Sequence, residues 1–493
     1  MRVGAFGSLF AAALLAGAGV AAAANDDGTL AGAAEVRDAG AVYSLLAAGA
    51  DVDAPAADGT TALHWAVHHD DLDMVRALID AGADVNAANR YGATPLLLAC
   101  TNGSAPVVDA LLRAGANPDT FSVGETALMT AGRTGSVDAA RLLLEHGADP
   151  HLAEELRGQT ALMSAAAARH AGMVRLLLDH GVDIDLHSRG GFSALAFAVR
   201  AGGHGAVRVL LESGADVNDM LRDGTSVLML AIVNGHYDLA AFLLDEGANP
   251  DAIDAGRTAL HILVQTHNWD GLDKAGVVEQ GEIGYLGLME KLLAHGADPN
   301  AGMTRDEEVR FPEGVTASGQ SFAVGVIGAT PFWWAARSAD LPAMRVLLAH
   351  GADPLLATAE NVTPLAMAAG VGYLDGQTPG TEEDALEAVR MILERGADIN
   401  AGSECARDAN AEGSPYRGLC CGWTPLHGAA SRGADSIITY LVENGAQLDA
   451  RDQRGRTPLD LAEGHVLYIS VYIRESSARL LRELMREQDI AAG

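Results

Sequence analysis

If this chain performs chemistry, few residues are placed to do it. The run His68-His69-Asp70-Asp71 offers four groups that can ligate a metal. Asp51, Asp53 and Asp58-Gly59 have the look of the start of a calcium loop. The calcium pattern lacks the glutamate that should close it in the twelfth position, and the His-His-Asp-Asp run falls in a link where polar residues are expected in any case. Cys405, Cys420 and Cys421 lie together, and Cys100 stands apart. Three thiolates need a fourth ligand at regular spacing to hold zinc, and none is visible. A disulfide between Cys405 and either Cys420 or Cys421, leaving one thiol over, suits an exported chain, while Cys100 reads as an inert core thiol. His146, His180, His295 and His350 each precede a glycine that closes a helix, where an imidazolium complements the helix dipole. No Ser-His-Asp arrangement or phosphate-cradling glycine loop stands out. The expectation is no catalytic residue, no metal and no cofactor: not an enzyme.

Most of the glycines belong to a repeat instead. The phrase Gly-x-Thr-(Pro/Ala)-Leu-x-x-Ala opens at Gly59, Gly92, Gly124, Gly158, Gly191, Gly224 and Gly256, 32 to 34 residues apart. It returns at Gly328, Asn361, Gly422 and Gly455, where Asn361 is the residue next most tolerant of positive φ. Each copy closes on a variant of Leu-Leu-x-x-Gly-Ala-Asp. In the first full copy, Asp58-Gly59 marks a turn, Thr61 is placed to cap a helix, and Leu63 and Ala66 face inward. Pro95, Pro331, Pro364, Pro425 and Pro458 occupy the first helical position, where no N–H is needed. A second helix begins at Leu72, with Leu72, Val75, Leu78 and Ile79 at helical spacing, and Gly82 ends it. A unit of this size cannot bury its own apolar face, so neighbours must stack.

These copies resemble the ankyrin repeat, with its 33-residue period and Thr-Pro-Leu-His-x-Ala signature. The resemblance implies an all-α ankyrin-repeat solenoid of about twelve helix-turn-helix units with hairpin loops. The expected organisation is a signal peptide at 1–24, an N-terminal capping repeat at 25–57 and regular repeats at 58–255. Repeats with four inserts follow at 256–422, then a repeat at 423–453 and a C-terminal capping repeat and tail at 454–493. The signature histidine survives at His64, His261 and His427. Elsewhere the position holds Leu97, Met129, Met163, Ala196, Met229, Trp333, Ala366 or Asp460, where apolar packing is expected to replace the histidine's hydrogen bonds. The methionines read either as core filling or as an adaptable binding strip.

The inserts are the larger departure. Residues 267–287 and 371–388 lengthen the link between helices; residues 302–327 and 402–422 lengthen the turn between repeats. The alternation Ser321-Phe322-Ala323-Val324-Gly325-Val326 hints at a strand. Loops on a regular scaffold carry function more often than the scaffold does. Aromatic residues gather there, and either anchor a partner or pack the inserts down. The sharpest expectation is that Trp269, Tyr285, Phe311, Trp334, Tyr373 and Trp423 border one partner-binding surface.

The first residues, MRVGAFGSLFAAALLAGAGVAAAAND, read as an export signal. Arg2 is the basic region, Leu9 to Leu15 the apolar centre, and Ala21 to Ala24 supply an A-x-A site; an uncleaved anchor is the alternative. The formal net charge is −32, from 33 basic and 65 acidic residues, which repels phosphate backbones and mildly favours a cationic partner. The combined expectation is a periplasmic or secreted bacterial scaffold that binds a protein or peptide as an adaptor, inhibitor or immunity-type partner. It would be monomeric, bind no nucleic acid and leave the membrane after signal cleavage. The alternative is an enzyme or small-ligand or metal sensor with a site assembled from the inserts in 256–422.

Overall fold

The computed structural model describes residues 28–122, 124–268, 280–305, 325–372, 380–404, 420–464 and 473–488. Residues 1–24, where an export signal is expected, lie outside these. The chain divides into two compact units, one up to Arg222 and one from Asp223. Among the described residues the first holds six helix pairs: Leu30–Glu35 with Ala39–Ala47, Ala62–His68 with Leu72–Asp80, Pro95–Asn102 with Ala105–Arg113, Ala127–Thr134 with Val137–Glu145, Ala161–Ala167 with Ala171–Asp179, and Ala194–Ala201 with His204–Glu212. The second holds six more: Val227–Val233 with Tyr237–Asp245, Ala259–His267 with Tyr285–Ala294, Pro331–Arg337 with Leu341–Ala349, Pro364–Ala369 with Glu382–Leu393, Pro425–Arg432 with Asp435–Glu443, and Pro458–Ala462 with Glu475–Glu487. One two-residue hairpin, Phe121–Ser122 against Glu125–Thr126, pairs antiparallel. Within each unit a first helix packs on its own second helix and on the first helices of neighbouring pairs. The fold is an all-α ankyrin solenoid.

Local chemistry explains where each helix begins and ends. Every first helix is capped by Thr or Ser: Thr29, Thr61, Thr94, Thr126, Thr160 and Ser193 in the first unit, and Ser226, Thr258, Thr330, Thr363, Thr424 and Thr457 in the second. The hydroxyl satisfies a backbone N–H that has no partner inside the helix. The second helices, apart from Glu475–Glu487, close on left-handed glycine. At Gly82, φ is +92°; Gly82 donates to Ile79 O at 2.9 Å and Ala83 to Leu78 O at 3.0 Å, the paired bonds of a Schellman motif. Asn361 takes φ +53° in place of an opening glycine and donates through Nδ2 to Gly402 O at 2.9 Å. Gly132 serves a different need: a Cβ there would sit 2.9 Å from Ala161 O, so its absence lets two first helices approach.

The surviving histidines tie one pair to the next. His64 Nδ1 accepts from Thr61 N at 3.2 Å, and Nε2 donates to Ala93 O at 3.0 Å, in the following repeat. His427 does the same with Thr424 and Arg456 O. His261 pairs with Thr258 and reaches Ala329 O at 2.9 Å, 68 residues on. Because Nδ1 accepts the backbone proton, Nε2 must carry the ring hydrogen. The expectation that apolar packing always replaces this bond fails at two positions. Trp333 sends its indole N–H to Val362 O at 2.9 Å, 29 residues on, the same separation as His64 to Ala93. Asp460 accepts from Thr457 N at 2.7 Å and completes a capping box. Met129, Met163 and Met229 are 1%, 2% and 0% exposed, so they fill the core and offer no binding strip.

The turn inserts enter at one point of the repeat. In a regular tip, Asn89 N donates to Ala93 O and Gly92 N to Asn89 O. At the second insert Met303 N donates to Ala329 O (2.9 Å) and Gly328 N to Met303 O (2.7 Å). At the fourth, Ser403 N donates to Trp423 O (3.0 Å) and Gly422 N to Ser403 O (2.8 Å). The base of the turn is preserved and the added residues leave from within it. One boundary needs correction. Residues 382–388, read as part of the 371–388 insert, are the start of the helix Glu382–Leu393. Thr381 and Asp384 form a capping box with an acidic first turn, so a polar run that looked like loop is a helix N-terminus. The strand hint at 321–326 falls largely outside the described residues.

Two measurements follow. Burial pushes His261 from 6.5 down to about 4, and burial also lowers His64 and His427. The unfolded chain therefore binds more protons as pH falls below 6.5. Stability is fully present above that pH and is lost progressively on the way down to about 4. Denaturant midpoints of His261→Gln should show a shallower loss between these limits, and an unchanged slope would refute the assignment. Trp333→Phe removes the donor to a buried carbonyl and should cost about 1–3 kcal/mol in urea unfolding; an unchanged midpoint would show that the bond adds nothing.

Candidate interaction surface

Of the six residues expected to border one surface, Tyr285, Trp334 and Trp423 are among the described residues. Trp269, Phe311 and Tyr373 lie outside the described residues. Trp334 is 5% exposed and Trp423 is 2%, so neither indole is available to a partner. Trp334 sits in the helix Pro331–Arg337, edge-on to Trp333 at 5.1 Å, and donates to Met303 Sδ at 3.2 Å. Arg337 Cζ lies 5.5 Å over its ring, and burial holds that guanidinium down at about 10. Trp423 precedes the cap Thr424, and Arg456 Cζ lies 5.8 Å over its ring. Both tryptophans pack repeats together.

Tyr285 is half-buried and fastens an insert. Its ring stacks on His267 with centroids 3.4 Å apart, and its hydroxyl donates to Asp340 Oδ1 at 3.0 Å. Asp340 Oδ2 accepts from Asn268 Nδ2 at 2.9 Å, and Oδ1 also accepts from Ala343 N, capping Leu341–Ala349. One carboxylate thus joins both edges of the first insert to the next repeat. On the other side Gln280 N donates to Gly235 O at 2.9 Å, and Asp238 accepts from Glu282 N and Ile283 N at 3.0 and 2.9 Å.

The groups weighed for chemistry are engaged in structure. Asp71 caps Leu72–Asp80 by accepting from Met74 N, and His69 Nε2 donates to Glu35 O at 2.9 Å. Asp53 accepts from Asp84 N at 2.8 Å in the next repeat. His180, His295 and His350 donate through Nδ1 to the carbonyl four residues back. Among the described residues no group of three His, Cys, Asp or Glu could hold a metal ion, and no helix is long and apolar enough to cross a membrane. Cys100 and Cys420 are free and buried, and burial raises each thiol to about 12. Cys421 is disulfide-bonded; Cys405 lies outside the described residues.

Sequence reasoning missed the groups that are exposed. In the first unit the turn tips carry Tyr91 (43% exposed), Phe121 (47%) and Leu156 (77%), followed by exposed Arg157, Arg189 and Arg222. Each lies shortly before an opening glycine, and that phase is the signal that could have found them. The tips touch: Ser122 Oγ donates to Tyr91 O at 3.3 Å, and Arg189 N to Arg157 O at 2.7 Å.

Thiol counting checks the cysteine assignment. Iodoacetamide at pH 8 should leave the native protein unlabelled, because both free thiols are buried and protonated. In denaturant two adducts should form, one each at Cys100 and Cys420, and four after reduction. Four adducts without reduction would rule out the disulfide.

A family model described as ankyrin repeats in three copies matches residues 30–122, 89–154, 128–220, 195–273 and 381–471, and a single ankyrin-repeat model matches 328–356. Together they cover well over half of the chain. The transient receptor potential cation channel subfamily A member 1 homolog of Caenorhabditis elegans is 28% identical over 193 residues, 36% of this chain and 13% of that protein. Human palmitoyltransferase ZDHHC13 is 29% identical over 178 residues, 32% of this chain and 26% of that protein. Human protein phosphatase 1 regulatory subunit 27 is 36% identical over 78 residues, 16% of this chain and 40% of that protein. The chain therefore spans less than half the length of each. The crystal structure of the human ASB11 ankyrin repeat domain aligns with TM-score 0.41 at 27% identity, over 45% of this chain and 98% of that one. With capped helix pairs in both units and the repeat model laid over most of them, the chain belongs to the ankyrin-repeat family, whose repeats generally mediate protein–protein interaction.

Proposed function

We propose that the chain is a non-catalytic scaffold that binds a protein or peptide in the bacterial envelope, as an adaptor, inhibitor or immunity-type partner. The observation that carries this reading is the fate of the reactive groups. Signature histidines, tip aspartates and free thiols are consumed by caps, inter-repeat bonds and the core, while the turn tips hold large exposed apolar groups. A stack held this way is ordered before a partner arrives, so less of the contact energy is spent on ordering it. The regulatory-subunit name of one relative is in keeping with an adaptor or inhibitor. Export is supported by the basic, apolar and A-x-A pattern of residues 1–24 and by the disulfide at Cys421. The reading includes a monomer with no nucleic-acid partner, in line with the net charge of −32.

Photocrosslinking tests it. A benzophenone side chain at Leu156, on a tip, should trap a protein partner in envelope extract, whereas one at Arg76, exposed on a second helix, should not. Equal capture from both positions, or from neither, would count against a tip-borne binding face.

A further inference from the structure

Two residues of the first unit are titratable where the repeat otherwise puts neutral side chains. Asp219 stands five residues past a closing glycine, a place held in the other regular repeats by Ala87, Thr120, Leu152, Leu186 and Ala252. His187 stands six residues past one, a place held elsewhere by Ala88, Phe121, Ala153, Met220 and Ile253. The two exceptions meet. His187 Nε2 lies 3.1 Å from Asp219 Oδ1, and His187 Nδ1 lies 2.8 Å from Asp185 O. Asp219 Oδ2 accepts from Ser193 Oγ, which in turn accepts from Ala196 N and caps Ala194–Ala201. The chain of contacts thus runs from the ring to the start of a helix.

This junction also lacks bonds that hold others. Arg189 N donates to Arg157 O at 2.7 Å across the preceding pair of turns, and Arg90 N to Asp58 O at 2.8 Å. Among the described residues no backbone bond joins 186–191 to 216–222, and Asp185 does not repeat toward Asp216 N the bond that Asp53 makes with Asp84 N. Side chains therefore carry the tie. A carbonyl and an ionised carboxylate both only accept, so both bonds of His187 form together only when both ring nitrogens carry hydrogen. A neutral ring has one N–H and leaves one acceptor facing a lone pair. We propose that His187 and Asp219 are a proton-operated latch between successive turns of the first unit, closed by the imidazolium and released by the neutral ring.

The surroundings leave that proton to His187. On its own turn Asp183 accepts from Asp185 N, and Arg189 is exposed. On the preceding turn Glu154 accepts from Leu156 N and Arg157 N, beside exposed Glu155 and Arg157. On the following turn Asp216 and Arg222 are exposed, and on the capped helix Arg200 lies over Phe192 and Phe197. Among the described residues Asp219 alone comes within ion-pair distance of His187. His295 is the contrast. It faces Lys291 O and Asp245 in the same way, but Lys291 Nζ lies 2.8 Å from both oxygens of Asp245, so that carboxylate keeps a cation without an imidazolium. The closed latch holds one proton more than the open one, so acid favours closure. That sign is the reverse of the buried His64, His261 and His427. The inference does not depend on what the scaffold binds.

Hydrogen exchange of the full chain, read by mass spectrometry on peptides covering 184–201 and corrected for intrinsic rates, tests it. The two conditions are about pH 5.5 and about pH 8, on either side of the ordinary histidine range. Relative to His187→Gln, the wild type should open about 2- to 5-fold less at the lower pH, the range of an exposed ion pair, and equally at the higher. Asp219→Asn should behave as His187→Gln does. His187→Arg, with a fixed charge and several donors, should protect the segment at both pH values. Exchange in Ala62–His68 reports that each variant keeps its fold. In 15N-histidine protein, the ring whose signals vanish in His187→Gln should carry both hydrogens at about pH 5.5 and one at about pH 8. The same pH response in wild type and His187→Gln, a response retained in Asp219→Asn, or a ring with the same hydrogens at both pH values would each overturn the latch.

Discussion

A pair of helices about two turns each has one apolar side and nothing of its own to cover it, so every pair depends on the next. Apolar contact is non-directional and would tolerate sliding. Among the described residues, four first helices add direction with a donor three residues past the cap. His64 and His427 each place one N–H on the carbonyl just before the following cap. Trp333 reaches the same carbonyl with a different ring. Imidazole and indole both supply the bond from this position. His261 makes the point over a longer distance: its partner is 68 residues on, yet it occupies the same place in the repeat.

Much of the acidity has the same origin. The residue two positions beyond the Gly-Ala-Asp or Gly-Ala-Asn ending reaches forward: Asp53 accepts from Asp84 N, Asn86 from Asn117 N, Asp119 from Asp149 N, Asp251 from Asp298 N and Asn300 from Asp353 N. Asn and Asp alternate freely here because either supplies the accepting oxygen. A charge that arises from repeating a structural acceptor says little about what binds.

The period, the caps and the closing glycines were legible because each is a local rule repeated many times. Asn361 could be foreseen as a left-handed stand-in, and Cys100 as core. The misreadings share a cause. Trp334 and Trp423 adjoin inserts, which points to the surface, but their phase in the repeat assigns them otherwise. Trp334 follows its cap Thr330 by four, as buried Trp65 follows Thr61. Trp423 immediately precedes its cap, as do Ala93, Ala329 and Val362, which are at most 2% exposed. The Asp340 junction could not be read at all: Tyr285 and Asn268 meet it from 55 and 72 residues away, and no local pattern encodes such a meeting.

The inserts show why variation concentrates at the tips. A tip is a turn whose two ends are already hydrogen-bonded to each other, so extra chain within it changes only the closure entropy. That cost rises by about 0.6 kcal/mol per doubling of length. Met303 with Gly328 and Ala329, and Ser403 with Gly422 and Trp423, keep the same clamp as Asn89 with Gly92 and Ala93. The stack on either side does not register the difference. By contrast, an added residue inside Ala62–His68 would rotate every later side chain by about 100° and move Leu63 and Val67 out of the core. Selection for binding can therefore act on residues such as Leu156 and Arg189 with little consequence for folding, whereas the helices remain bound to their period.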